Sequence, residues 1–348
     1  MRVDHLIVGQ GIAGTNLAWH LLRAGRTVRI IDATGGQTCS RVAAGMINPI
    51  TGRAFRKTWM IDDLLPAARA TYTAMERALD GRFWFEMDMH RIITSAEQEA
   101  DWRAKCEDER YAPYLDDSTT TRLEPPVRNP DGSFTVAGVC RVDGPALLSA
   151  LRDRWTRDGV LIRTVYNHSA LEITSEGVAY EGIEAGSIVF CEGAGLIDNP
   201  WFGHLPLVPN RGEVLHVCVP GLPEGLVLNR NKNLCHMRGD TFWMGATIDR
   251  GERERFTTDA GRDQLEGALH DMVGDAYTVV DHQAGVRPTV KHHRPLIGRH
   301  PAHPQLVVFN GMGTKGYSLS PWMANHLVRH LLTGEPLLDD VNITRWMD

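Results

Sequence analysis

Alternation of apolar and polar positions predicts a strand, a helix and a second strand at the start of the chain. The apolar run His5–Val8 predicts the first strand, and the spacing of apolar residues from Thr15 to Ala24 predicts the helix. Thr27–Ile31 is a second apolar, β-branched run and predicts a strand that ends at Asp32. Because one helix joins the two strands, this order predicts a parallel βαβ unit.

Later stretches repeat the same two periodicities. Apolar residues recurring three and four positions apart predict amphipathic helices at 61–79, 96–110, 144–157, 258–273 and 316–332. Runs rich in β-branched and aromatic residues predict strands at 83–85, 91–93, 160–163, 171–180, 187–190 and 306–309, and an antiparallel sheet between 207 and 247. Between 81 and 142 the order of predicted strands and helices no longer follows the βαβ pattern, which indicates an insertion into the first sheet.

Glycines between the first strand and helix have the spacing of a dinucleotide-binding turn. Gly9 permits a sharp exit from the strand, Gly11 lets the backbone approach a pyrophosphate, and Gly14 lets the helix pack closely on the sheet. The first amides of the helix then face the phosphates, and Asp32 can accept hydrogen bonds from ribose hydroxyls. A βαβ turn without a ligand is the alternative, but the surrounding elements agree with a bound nucleotide.

Two further strand ends carry small-residue turns. The predicted strand at 187–190 runs into Cys191–Gly195, and the one at 306–309 runs into Asn310–Gly316, which opens the last helix. In an open α/β sheet, ligands bind beyond the carboxyl ends of the strands. Both turns are therefore candidate ligand-binding segments.

Composition excludes several classes of protein. The 348 residues, 43% of them hydrophobic, predict a large core and two domains. A net charge of −6 argues against nucleic acid as a partner, and no apolar run reaches the ~18 residues of a membrane span. A strand is predicted where a secretory signal would have its apolar region, so no secretory signal is expected. The six cysteines form no C-x-x-C pair, which favours a cytoplasmic protein with reduced thiols and no structural metal.

Seven segments in one order resemble the D-amino acid oxidase family of flavoproteins, which includes glycine and sarcosine oxidases. They are the Gly9-Gly11-Gly14 turn with the acid at 32, 43–46, 211–213, 245–247, 285–288, 295–298 and 311–313. The resemblance covers essentially the whole chain. Gly313-Thr314-Lys315-Gly316 is also similar to the Gly-Ser-Arg-Gly of the oxidase half of the bifunctional tRNA wobble-uridine modification enzyme.

The resemblance implies an α/β fold with two discontinuous domains. A Rossmann-type FAD-binding domain would comprise 1–80, 143–206 and 285–348. A second, α+β substrate domain built on an antiparallel sheet would comprise 81–142 and 207–284. The flavin ring would lie between the two, and the sequence makes no prediction of oligomeric state.

The same resemblance implies a set of residues that hold FAD. Asp32 departs from the glutamate that is commoner in these flavoproteins, but either carboxylate can reach a ribose. The expected cofactor-binding residues are Gly9, Gly11, Ile12, Ala13, Gly14, Asp32, Ala33, Ala44, Gly45, Met46, Gly193, Gly195, Arg287, Gly311, Met312, Gly313, Thr314 and Lys315.

Three residues are candidates for catalysis. By resemblance, Arg287 matches the arginine that pairs with a substrate carboxylate; the alternative is an arginine that bonds backbone carbonyls. Lys315 could stabilise reduced flavin or assist its reaction with oxygen, or it could be an exposed lysine of the first helical turn. His292 could act as an acid or base near the flavin, or be structural.

The resemblance implies a flavoenzyme that oxidises the C–N bond of a small amine or amino acid. A hydride would pass to FAD, water would hydrolyse the imine, and oxygen or another acceptor would take the electrons. Two alternatives stay open. One is an oxidase acting on an aminomethyl-modified tRNA nucleoside, and the other is a flavin-binding protein without turnover.

Overall fold

The computed structural model describes residues 1–33, 38–116 and 122–346. Its helices are α1 (Ile12–Arg23), α2 (Cys39–Val42), α3 (Ile61–Leu79), α4 (Ala96–Cys106), α5 (Gly144–Arg157), α6 (Asp259–Val273) and α7 (Gly316–Thr333). Its strands are β1 (Arg2–Val8), β2 (Val28–Asp32), β3 (Met46–Ile47), β4 (Ile50–Thr51), β5 (Arg56–Lys57), β6 (Trp84–Glu86), β7 (Asp88–Ile92), β8 (Ser133–Val136), β9 (Cys140–Val142), β10 (Leu161–Arg163), β11 (Leu171–Ile173), β12 (Val178–Tyr180), β13 (Ile183–Phe190), β14 (Leu207–Cys218), β15 (Leu226–Arg230), β16 (Lys232–Arg238), β17 (Thr241–Gly245), β18 (Asp249–Arg250), β19 (Thr278–Val290), β20 (Leu296–Arg299) and β21 (Leu306–Asn310). Short 3-10 helices lie at His168–Ala170, Gly193–Asp198 and Ile343–Trp346.

The first sheet is built on parallel strands. Strands β10, β2, β1, β13 and β21 lie side by side in that order and run parallel. β12 pairs antiparallel with the first half of β13 and with β11, and β20 pairs antiparallel with β21. The carboxyl ends of β1, β2, β13 and β21 therefore meet at one edge, where a ligand is expected.

The second sheet is mostly antiparallel and has the order β18-β14-β17-β16-β15-β7-β8, with β19 on the other side of β14. The long β14–β19 ladder pairs Leu207 with Val290 at one end and Cys218 with Thr278 at the other. β7 and β15 form a parallel pair. Two smaller sheets, β3-β9-β6 and the β4-β5 hairpin, complete the pairing.

Three hydrophobic clusters connect these layers. One lies under α6 on a face of the second sheet and includes Leu215, Met244 and Leu269. Another lies on the first sheet around Phe190 and Leu306. The largest runs from α1 and α7 through β3 and β9 to the opposite face of the second sheet, so that the two sheets share one continuous core.

The predicted α/β architecture, a parallel sheet joined to a largely antiparallel one, is confirmed. The helices predicted at 144–157 and 258–273 have these bounds to within one residue, because Asp143 and Thr258 cap them by accepting from Ala146 N–H and Gly261 N–H. The strand predicted at 171–180 is instead the hairpin β11–β12, turning through a segment that contains Gly177 at φ +158°. The helix predicted at 96–110 ends at Cys106.

The sheets cross the proposed domain boundaries at two places. The first sheet takes all its strands from 1–80, 143–206 and 285–348, but β19 of the second sheet crosses from 284 to 285. The small β3-β9-β6 sheet joins β3, from 1–80, to β6 and β9, from 81–142. The division into two domains stays a prediction. The small, polar residues of 33–40 predict a loop over the adenosine half of a dinucleotide, and 34–37 of this loop lie outside the described part of the chain.

Truncating Trp102 tests the packing of α4 on the second sheet. Its side chain is fully buried and stacks on Phe134 with ring centroids 4.4 Å apart. We expect Trp102→Ala to lower the free energy of unfolding by about 3–5 kcal/mol, because it removes this contact and leaves a cavity. Urea unfolding measures the change. Val165→Ala, at a site that is 75% exposed, is the control, and an equal loss in both variants would contradict this packing.

Candidate functional site

A cavity of ≈ 350 Å³ lies at the edge where the strands of the first sheet end. Its wall combines the β1–α1 turn, the end of β2, α2, the end of β13, the middle of β19 and the β21–α7 turn. Of the predicted site residues, the wall contains Gly9, Gly11, Ile12, Ala13, Asp32, Gly193, Gly195, Arg287, Met312, Gly313 and Thr314. The fold thus brings most of the predicted set to one place.

The β1–α1 turn is closed by two contacts that admit only glycine. Gly9 has φ +98°, and a Cβ there would stand 2.6 Å from the carbonyl oxygen of Cys191. A Cβ on Gly14 would stand 2.0 Å from the carbonyl oxygen of Gly9. Helix α1 therefore starts directly at the strand end, and its N-cap, Gly11, has no side chain to cover the first amides. Such an uncapped N-terminus in a cavity wall fits a phosphate.

Asp32 is held in a fixed position at the end of β2. Gln10 N–H donates to its Oδ1 at 2.9 Å, and Arg152 Nη1 donates to its Oδ2 at 2.5 Å. Arg152 also donates to the side chain of Gln10 and to the carbonyl of Ala33. Arg152 lies on α5 and was not predicted; no spacing in the sequence marks it, because the contact depends on how α5 packs.

Two strand-end turns are joined across the cavity. The Asn310 amide donates to the carbonyl of Gly193 at 3.1 Å and accepts from Gly311 N–H at 2.7 Å. Gly313 N–H donates to the carbonyl of Pro288, which ties the last turn to β19. Met312 and Thr314 are thereby kept in the wall, while Gly311, at φ +75°, packs behind it against Val290.

Ser40 and Tyr317 complete the wall of the cavity beside the start of α1, although neither is among the predicted site residues. Ser40 Oγ accepts from Ile12 N–H at 3.0 Å, and the Tyr317 hydroxyl donates to the carbonyl of Ser40 at 2.5 Å. Both line the wall. The tyrosine reaches this position because Gly144 leaves room for its hydroxyl, which a Cβ at 144 would meet at 1.7 Å.

Arg287 is a half-buried cation in the wall, and its hydrogen-bond partners are all neutral. Both its Nη atoms donate to the carbonyl of Thr247 at 3.2 Å, and Nη1 lies 3.4 Å from the Asn210 amide oxygen and the Arg211 carbonyl. No carboxylate of the described residues forms an ion pair with it. Burial lowers its pKa. The guanidinium lies over Gly212, where a Cβ would stand 1.9 Å from Nη2.

Lys315 stands at the start of α7 but is not part of the cavity wall. Its Nζ donates to Thr58 Oγ1 at 2.9 Å and lies 3.4 Å from Thr51 Oγ1. Burial lowers its pKa to about 8, and the nearby positive charge of Arg294 acts in the same direction. The predicted alternative of an exposed lysine does not describe this side chain.

The remaining predicted residues lie outside the wall. Gly45 packs on β9, where a Cβ would stand 1.9 Å from the Val142 carbonyl oxygen, and Met46 begins β3 beside it. Ala44 is buried and Ala33 is exposed. His292 lies in a different cleft, stacked on Trp346 with ring centroids 5.2 Å apart. The structure therefore does not bring His292 to the cavity.

Comparison with known proteins identifies the family. The model of the FAD dependent oxidoreductase (DAO) family matches residues 4–330. The chain belongs to this family. FAD is accordingly its cofactor, and the uncapped helix, the glycine cradle and the fixed Asp32 fit that molecule. Within the described residues, no helix is long and apolar enough to cross a membrane.

Individual relatives are distant in sequence but match nearly all of this chain. A putative thiamine biosynthesis oxidoreductase, ThiO, of Rhizobium etli is 27% identical over 97% of this chain and 98% of its own. The bifunctional protein MnmC of Maricaulis maris, named for tRNA 5-methylaminomethyl-2-thiouridine biosynthesis, is 25% identical over 95% of this chain and 52% of its own. The crystal structure of glycine oxidase from Geobacillus kaustophilus superposes with a TM-score of 0.83, covering 99% and 98% of the two chains at 23% identity.

Substitution of Gly14 tests the cofactor cradle. We expect Gly14→Val to weaken FAD binding by at least tenfold, because its Cβ would force α1 away from the carbonyl of Gly9. Gly267→Ala, on α6 with nothing within 4 Å of the added Cβ, is the control and should bind FAD as the native chain does. Flavin fluorescence on titration of the apoprotein gives both affinities. Native affinity in Gly14→Val would contradict the cradle.

Proposed function

We propose that this enzyme oxidises the C–N bond of a small amine or amino acid that carries a carboxylate. The observation that carries the proposal is Arg287, a half-buried cation in the wall of the FAD cavity whose hydrogen bonds go only to carbonyl and amide oxygens. A partly desolvated charge without a counterion is unfavourable, and a carboxylate on the substrate would supply that counterion.

FAD, when bound, accepts the hydride from the carbon beside nitrogen, and water then hydrolyses the resulting imine. The protein's part is to place that carbon. Arg287 would hold the substrate carboxylate with its planar fork, and Gly212 leaves the guanidinium the room it needs. The ladder between β14 and β19 fixes the arginine, so the substrate is oriented by a rigid element.

The proposed cofactor contacts divide between the two ends of the cavity. The amides at the start of α1, with Ser40, would bind the pyrophosphate, and Asp32, oriented by Arg152, would bind the adenosine ribose. The turn at 312–314 would face the flavin pyrimidine with its backbone amides. These roles agree with the wall of the cavity and are proposals for each residue.

Lys315 would add positive charge next to that turn. Lys315 directly follows Thr314, the last residue of that turn. Among the described residues, its ammonium group donates only to hydroxyl groups. Charge at this position favours negative charge on the pyrimidine end of the flavin. His292 has no role in the proposal. Either oxygen or another carrier would then take the two electrons.

A second candidate is an oxidase for an aminomethyl-modified tRNA nucleoside. The similarity to MnmC, which covers 95% of this chain, favours it. The net charge of −6 counts against binding of a polyanion. A mobility shift with tRNA, followed by nucleoside analysis of the bound RNA, separates this candidate from a small-molecule oxidase.

Arg287 variants test the proposed function. We expect Arg287→Ala to raise KM for amino acid substrates by roughly 100-fold, since a charge-assisted pair is lost, while the flavin stays bound. The KM of Arg287→Lys should lie between those of the native enzyme and Arg287→Ala. Release of ammonia and the oxo product measures turnover, and Arg163→Ala, a surface arginine paired with Asp153, is the control. Unchanged KM in Arg287→Ala would reject the role.

The pH dependence of the flavin potential tests Lys315. Its pKa of about 8 means that the side chain is charged below this pH and neutral above it. We expect the midpoint potential of the bound flavin to fall more steeply with pH above about 8, as the stabilising charge is lost. The extra slope should be absent in Lys315→Met and present in Lys291→Met, an exposed lysine. Identical curves for all three proteins would reject the assignment.

A further inference from the structure

A second arginine, with two donor atoms that make no hydrogen bond, lies between the two sheets. Arg141, on β9, is only 2% exposed. Its Nη2 donates to the carbonyl of Met237 at 3.1 Å, but its Nε and Nη1 have no hydrogen-bond partner. Phe85 covers one face of the guanidinium, with its ring centroid 4.6 Å from Cζ. Two donor atoms of a buried cation are therefore open.

The nearest carboxylate is close to this cation but makes no hydrogen bond to it. Asp143 Oδ2 stands 3.9 Å from Nη1, beyond hydrogen-bonding distance, and the other oxygen of Asp143 accepts from Ala146 N–H at the start of α5. Arg211 and Arg152 show the contrast, since each donates to a carboxylate at 2.7 Å or less. Leaving charged donors buried and unpaired is unfavourable unless a ligand completes them.

Arg141 pairs with Met46, one of the residues expected to bind FAD, although it is not part of the cavity wall. Its strand pairs with β3 at Met46 and with β6 at Phe85, and its side chain reaches across to β16 of the second sheet. The cation is close enough to Cys235 to oppose the rise that burial causes in the pKa of that thiol. Arg141 is thus located at the contact between the small β3-β9-β6 sheet and the second sheet.

Both unpaired guanidinium groups lie on the same face of the second sheet. Cys235 pairs with Trp243, and Gly245, two residues further on, pairs with Val214. Side chains of paired residues, and of residues two apart on a strand, share a face. Gly212 is two residues from Val214, and the Cβ position of Gly212 meets the guanidinium of Arg287. The face that carries Cys235 therefore also carries Arg287.

The two cations lie along one segment of the second sheet. Arg287 bonds the carbonyl of Thr247, whereas Arg141 lies near Cys235, which pairs with Trp243, four residues before Thr247. A small molecule with an acid at each end would place one carboxylate at each guanidinium.

We propose that Arg141 binds a second carboxylate of the substrate, so that this enzyme prefers aminodicarboxylates to simple amino acids. Arg287 would hold the carboxylate next to the reacting C–N bond, and Arg141 the remote one. The inference rests on the proposed function for the identity of the reacting bond. The anion site at Arg141 stands without it, because it is defined by the open donors of the guanidinium.

Kinetics with paired substrates test the preference. The native enzyme is compared on glutamate, aspartate and iminodiacetate against alanine and sarcosine, with both enantiomers where they exist. We expect kcat/KM to favour a dicarboxylate, and Arg141→Met to lower it 10- to 100-fold for that substrate with little change for the monocarboxylates. Arg141→Lys should recover part of the preference. Equal losses on both classes, or no preference in the native enzyme, would overturn the proposal.

Binding of a substrate-like anion gives a readout that needs no turnover. Glutarate and acetate, which have no amine to oxidise, are titrated against the FAD-loaded protein while the flavin spectrum is followed. We expect glutarate to bind at least tenfold more tightly than acetate, and Arg141→Met to abolish the difference. If glutarate binds in this way but no amine is oxidised, the anion site stands and the proposed function fails. Equal affinities in the native protein would remove the anion site.

Arg91→Met is the matched control for both experiments. Arg91 is also buried, stacks on Phe55 with its Cζ 4.4 Å from the ring centroid, and donates to a single carbonyl, that of Gly52. Its loss should cost stability without changing the ratio of dicarboxylate to monocarboxylate. A change in that ratio equal to the one in Arg141→Met would assign the effect to general loss of packing and contradict the proposal.

Discussion

A positive charge with no counterion among the described residues lies in the wall of the cavity. Arg287 is half-buried, is held by the carbonyl of Thr247 and lies over Gly212, so the β14–β19 ladder and the turn after β17 are both shaped to accept it. Burial lowers its pKa, yet guanidinium stays protonated in proteins. We propose that an anion in the cavity balances this charge, so that the site favours an anionic substrate before any catalytic step.

In the opposite half of the cavity, the main constraint is that backbone segments approach each other closely. The contacts of Gly9 with Cys191 and of Gly14 with Gly9 bring α1 against the strand ends, and its N-cap, Gly11, has no side chain. We propose that this half binds an anion through the helix dipole and N–H groups, whereas Arg287 binds one through a full charge. A dinucleotide and a small acid can thus be held at once, with the flavin ring between them.

Features that depend on local rules could be predicted from the sequence. The turn at Gly9–Gly14, the acid at 32 and the caps at Asp143 and Thr258 each follow from residue type and spacing within a few positions. Features that depend on packing of distant elements could not. Arg152 meets Asp32 only because α5 packs beside β2, and the neighbourhood of Arg141 is created by β9 meeting β16. His292 was expected near the flavin from its place in the chain, but it stacks on Trp346 in another cleft.

We propose that one cavity holds both FAD and an amine that carries a carboxylate. Anaerobic mixing of the FAD-loaded protein with a panel of amines and amino acids tests it most directly, because the flavin reports its own reduction without any electron acceptor. We expect the flavin to bleach with amino acids and to stay oxidised with the matching amines that lack a carboxylate. Flavin that no member of the panel reduces, or that amines without a carboxylate reduce equally fast, would contradict it.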